Sequence, residues 1–147
     1  MTTHAMKRQR LVWTDDKNTG VPEIDGQHES FYGIANALSD FAEHPVIDKN
    51  GVRQAWEKLV DHIYKHFEEE EGLLKRRGYP KLKEHLAEHD KYREQIKKFF
   101  FRLHNSTTNL DSRQQAEAIA DFANEWAVKH TLAAKQEAII FLKKDRQ

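Results

Sequence analysis

The chain has 147 residues, with 24 basic and 24 acidic side chains, nine histidines and no cysteine. That length suits one domain burying roughly 70% of its unfolded surface. Zero formal charge leaves no global field to gather nucleic acid or an anionic membrane, and the lack of cysteine excludes thiolate metal sites, iron–sulfur clusters, disulfides and a cysteine nucleophile.

The opening stretch MTTHAMKRQR is basic with no apolar segment behind it, so no secretory signal is expected. The longest apolar run, AIIFL, falls far short of the ~20 residues that cross a bilayer. The expectation is a soluble, cytoplasmic protein, with residues 1–20 as an arm anchored by Trp13 and 21–147 as the folded unit. A first helix is predicted over about 22–43, starting at Pro22 and ending before His44-Pro45. Asp48 or Asn50 caps a second that runs to about Arg77, where Gly78 stops it and GYP turns the chain. A third is predicted from near Pro80 to His104. After the loop NSTTN, Asp111 or Ser112 caps a fourth that runs to about Lys143. Short loops between long helices favour an all-α, antiparallel, up-down-up-down four-helix bundle.

Each helix carries a stripe spaced three and four residues apart, the pattern of a core-facing seam. His28 shares its stripe with Phe31, Ala35 and Leu38. His66 and Glu70 continue the stripe Trp56, Leu59, Ile63 and lead to Leu73. His85 and His89 sit among Leu82, Tyr92, Ile96, Phe99 and Leu103, and His130 follows Ile119, Phe122 and Trp126. Six polar side chains therefore stand where leucine would be the simplest choice. Burial without partners would be costly, and a shared metal such as iron or zinc resolves that cost. The other histidines, His4, His44, His62 and His104, fall at edges or ends, and Glu68, Glu69 and Glu71 read as a solvated face around Glu70. KKFFF is too wide for one stripe, which leaves Phe100 or Phe101 to touch the arm or a partner subunit, or, as the favoured expectation, to pack into the core.

Two narrower readings explain less. HLAEH matches the H-x-x-E-H zinc-protease motif but leaves His28, His66 and His130 without a role. A ferritin-like di-iron bundle needs a glutamate three residues before a histidine on two helices, and the chain has no such pair.

The segments VW near the start, IDGQH, HFEEEE, GYP, HLAEH and WAVKH together span about residues 11–142. In that order they resemble the hemerythrin family, especially its single-domain bacterial members. The resemblance implies a bundle holding two irons through five histidines and two bridging carboxylates, with reversible dioxygen binding at one open position. It places His85, His89 and His130 on one iron, His28 and His66 on the other, and Glu70 between them. The second bridging aspartate of the family pattern is replaced: in HTLAAK its position belongs to Lys135.

Lysine there puts a positive charge where a negative one should offset metal. At ~4 Å and an effective dielectric of ~20 a charge pair is worth about 4 kcal/mol, so the reversal is a large swing. Lys135 either snorkels outward, displaces one metal to leave a mononuclear site at His85, His89 and His130, or stays buried and deprotonated. The expectation is a non-enzymatic, non-haem iron protein that binds dioxygen or another small diatomic ligand for storage, delivery or sensing, with its second metal weakened or its oxygen adduct altered. The alternatives are an iron-dependent oxidase, peroxidase or nitric-oxide-handling enzyme, and a degenerate, metal-free bundle serving as an interaction module.

Overall fold

The computed structural model describes residues 8–104 and 109–136, without the side chains of 103–104, 109–111 and 132–136. Four helices follow in order: α1 (Pro22–Glu43), α2 (Lys49–Arg76), α3 (Leu82–His104) and α4 (Asn109–Gln136). A single 3-10 turn, Asp15–Lys17, precedes them, and no strand occurs among the described residues. The architecture is the all-α, four-helix bundle that the stripes predict.

Local chemistry sets the helix ends. Gly20, at φ 92°, turns the chain into α1, and Asp25 accepts from the backbone of Thr19 (2.7 Å), the Thr19 hydroxyl (2.7 Å) and the backbone of Gly20 (3.2 Å). At the far end of α1, Arg113 reaches across from α4 and donates to the carbonyls of Ala42, His44 and Pro45. These lie where a helix end leaves acceptors without partners. Asp48 caps α2 by accepting from Gly51 N–H at 3.0 Å. A Cβ on Gly51 would come within 2.6 Å of both the Asp48 carboxylate and the Phe41 ring, so this tight α1–α2 corner requires glycine. Gly78, at φ 68°, ends α2 with Tyr79 N–H donating back to the Leu74 carbonyl, the left-handed stop expected of glycine.

Two predicted starts shift. Pro80 and Lys81 form a turn, so α3 begins two residues later than expected. The fourth helix begins at Asn109, which puts Asp111 and Ser112 inside its first turn instead of at its cap. Its predicted end near Lys143 lies outside the described residues.

The main core gathers Phe31, Ala35 and Leu38 of α1, Trp56, Leu59 and Ile63 of α2, Ile96 of α3, and Ile119, Ala123 and Trp126 of α4. A smaller cluster of Val21, Ile24, Leu74 and Tyr79 closes the other end, joined by Leu73 and Leu82. On α2 it is Leu74, four residues after Glu70, that is fully buried, while Leu73 is half-buried. Phe99 packs edge-on against Trp56, but Phe100 and Phe101 are exposed (48% and 70%), against the expectation that they join the core. Three consecutive helical residues sweep roughly 200° around the axis, too wide for one inward face.

The N-terminal segment lies along α1 and α4. The Asn36 side chain takes both backbone groups of Leu11, accepting from its N–H and donating to its carbonyl, each at 2.8 Å. Arg8 pairs with Asp121 of α4, and Asn124 donates to the Gln9 carbonyl. Trp13 then packs edge-on against Tyr32 and tilts toward His28. None of the described helices is long and apolar enough to cross a membrane.

Candidate metal centre

Between the two apolar clusters the stripes turn polar, and all four helices contribute. His28, His66, Glu70, His89 and His130 are buried, and His85 is partly buried. Donor atoms of His28, His66, Glu70 and His130 lie within 4.8 Å of one another, as do those of Glu70, His85 and His89. Glu70 belongs to both groups and divides its oxygens between them. Its Oε2 is 3.2 Å from His66 Nε2 and 3.8 Å from His130 Nε2, while its Oε1 contacts His85 Nε2 and lies 3.3 Å from His89 Nε2. His130 sits between the groups, with its Nε2 2.7 Å from that of His66 and its ring 5.9 Å from that of His89. The resemblance assigns it to His85 and His89, whereas its nearer neighbours here are His66 and His28.

Hydrogen bonds on the outer ring nitrogens fix which way the inner ones face. Gln27 donates its amide N–H to Glu69 at 2.6 Å, which leaves its oxygen to accept from His66 Nδ1. Glu71 likewise accepts from His89 Nδ1 at 2.6 Å. With Nδ1 carrying the proton, a neutral imidazole turns a bare Nε2 lone pair inward. Both Nε2 atoms then face the Glu70 carboxylate, at 3.2 and 3.3 Å. The buried side-chain atoms without a hydrogen-bond partner include both ring nitrogens of His28, His89 Nε2 and Glu70 Oε2. Buried polar atoms are almost always partnered, so this concentration of orphaned polar atoms fits a cation, which Glu70 Oε2, His89 Nε2 and one ring nitrogen of His28 can bind.

The electrostatics agree. Burial, reinforced by repulsion from His66, lowers His28 from 6.5 to about 4, keeping its ring neutral as a ligand must be. Burial also holds His130 well below the usual imidazole range. For Glu70, burial alone would raise the carboxyl, but the imidazoles of His66, His85 and His89 hold it well below the ordinary carboxylate value. A carboxylate held ionised among buried imidazoles is a site prepared for positive charge.

Aromatic rings wall the group. Phe67 stacks on His89 at 3.8 Å and 11°, Trp126 stacks on His130 at 5.0 Å and 10°, and Phe31 meets His66 edge-on at 5.3 Å. His62, read as an edge residue, is half-buried against Phe31 and outside both donor groups. Glu88, beside His89 in HLAEH, is exposed near Lys91. The Lys135 side chain lies outside the described residues. Sequence reasoning missed Gln27, Phe67, Glu71 and Arg93. Gln27 stands inside the quoted segment IDGQH, but Glu71 was indistinguishable from its solvated neighbours.

A four-helix bundle with buried imidazoles from every helix around one shared carboxylate defines a metal-binding bundle protein. The chain matches the hemerythrin HHE cation binding domain over residues 19–139, and it belongs to the hemerythrin family. It is 28% identical to a bacteriohemerythrin of Clostridium acetobutylicum over 137 residues, covering 88% of this chain and 98% of that one. With a bacteriohemerythrin of Pseudomonas aeruginosa it shares 32% identity over 93 residues, 63% of this chain and 60% of that one. A crystal structure of a hemerythrin mutant superposes with a TM-score of 0.67 at 22% identity, covering 88% of this chain and 97% of that one, and it shows the same fold. Family membership places the chain among non-haem iron-binding proteins that are not enzymes.

Proposed function

We propose that the protein binds dioxygen at a non-haem iron centre held by His28, His66, Glu70, His85, His89 and His130. The observation that carries this is the division of Glu70: one oxygen faces each donor group, as a carboxylate shared between two cations would be placed. Neutral nitrogen and carboxylate donors suit iron, and bound iron would supply the reversible electron donation that dioxygen binding requires. The chain's own residues supply the remaining conditions. Gln27 and Glu71 hold two imidazoles in the ligating tautomer, and the rings of Phe31, Phe67 and Trp126 keep bulk water from the donors. Trp13 covers His28 from the N-terminal side.

In this reading Lys135 takes the place of a second bridging acid and weakens the second metal or alters the oxygen adduct. The full chain, loaded anaerobically with ferrous iron, should bind iron and give an absorption band that appears with oxygen and disappears on its removal. Glu70→Ala should lose both. Absence of iron binding, or of any oxygen response, overturns the proposal. Lys135→Asp should raise the bound iron count measured by ICP-MS. A wild-type chain that already holds two irons tightly overturns the role given to Lys135.

A further inference from the structure

We propose that Glu71 is a positioning residue for the centre: its carboxylate, steadied by Arg93, orients His89 and strengthens it as a metal donor. This rests on the iron reading above. Glu70 and Glu71 are adjacent on α2, about 100° apart around the axis, so when one enters the bundle the other meets the edge of α3. There it accepts from His89 Nδ1 at 2.6 Å and from Arg93 Nη2 at 2.8 Å, both on the same oxygen, Oε2. His89 and Arg93 are one helical turn apart, and so reach the same acceptor from one face of α3.

Arg93 is fixed in turn by Asp90 at 2.9 Å, and its guanidinium lies 5.0 Å over the Phe67 ring. Phe67 also stacks directly against His89. The imidazole is thus held by a hydrogen bond along its outer edge and a ring against its face, leaving Nε2 pointed at Glu70 Oε1.

The contrast with His66 sharpens the assignment. Its outer nitrogen donates to the neutral amide of Gln27, whereas that of His89 donates to a carboxylate. A charged acceptor draws the Nδ1 proton toward itself and raises the electron density at the opposite nitrogen. Such partners of ligating histidines are worth about 10- to 100-fold in metal affinity. The two donor groups therefore differ in strength through residues that touch no metal.

The test is an anaerobic ferrous titration of the full chain as wild type, Glu71→Gln, Glu71→Ala and Glu68→Gln, the last an exposed acid of the same run. Glu71→Gln keeps an acceptor oxygen and removes only the charge. It is expected to weaken iron binding about 10- to 100-fold and to raise the ferric/ferrous potential, with the melting temperature of the metal-free protein unchanged. Glu71→Ala should lose at least as much, and Glu68→Gln should bind as wild type does. Tight binding by wild type and Glu71→Gln alike overturns the proposal and leaves the iron reading standing. No binding by wild type overturns that reading and this one with it. Should metal-free Glu71→Gln fail to fold, Arg93→Lys gives the second arm, since lysine lacks the two-pronged group that spans Glu71 and Asp90. A several-fold loss there supports the proposal, and wild-type affinity overturns it.

Discussion

The first and third helices of this bundle are of similar length but are held in different ways. α1 buries Phe31, Tyr32, Ile34, Ala35, Leu38 and Ala42 along most of its length. On α3, the only fully buried described side chains are His89 and Ile96. Below Ile96 the third helix leans on Phe99 against Trp56, and above it on Glu70 and Glu71 meeting His85 and His89. Apolar burial fixes the first helix whatever the metal state. The third depends on donors that belong to the site, so its attachment should be coupled to metal.

The largest expected effect tests the metal-independent side. Trp56 is fully buried, edge-on to Phe99 and Phe122. Trp56→Ala should cost about 3–5 kcal/mol in chemical denaturation of the metal-free protein. A loss under about 1 kcal/mol would mean that the apolar end is not what holds the bundle together.

Acid probes the polar side. The unfolded chain protonates His28 near 6.5 and the folded one only near 4, so between those values the unfolded state binds the extra proton. Stability of the metal-free protein should be full above pH 6.5 and fall as pH drops toward 4, with His28 alone taking about 3 kcal/mol over that window and buried His130 adding in the same direction. Glu70 acts in the same direction at still lower pH, because its depressed carboxyl must finally be protonated. A flat denaturation midpoint between pH 6.5 and 4 would show that neither His28 nor His130 is buried neutral.

Iron should then narrow the difference between the helices. A ligand present at 100 times its dissociation constant adds about 2.7 kcal/mol to the folded state. Amide hydrogen exchange should be faster in α3 than in α1 without iron, and the slowing on loading should be concentrated in 82–96. Equal protection of both helices before loading would break the contrast drawn here. The smallest effect belongs to the surface: Arg10 and Asp40 pair at 3.2 Å with both side chains about two-thirds exposed, and Asp40→Asn should change stability by no more than about 0.5 kcal/mol.

The parts legible in the sequence were those that violate a pattern. Leucine-type positions occupied by His28, His66, Glu70, His85, His89 and His130 stand out against a 3.6-residue period, and the structure brings all six together. Gln27, Glu71 and Arg93 violate nothing, since polar residues at the edge of a helix are the norm, and they acquire meaning only when a second helix supplies the partner. The phenylalanines at 100 and 101 misled for the converse reason. Hydrophobicity suggests burial, but angular position decides it. Lys135 reads in the sequence as a departure from the pattern that the segments resemble, and its effect on the centre belongs to the function proposed above.

The grip of Asn36 on Leu11 uses main-chain atoms only, so it is blind to what residue 11 is and sensitive to what residue 11 lacks. Many side chains could drift through that position while the path of the tail, and the placement of Trp13 beside His28, stayed the same. Proline is the exception, because it has no amide hydrogen to offer. Freedom of identity and constraint of route thus coexist in one residue of this protein.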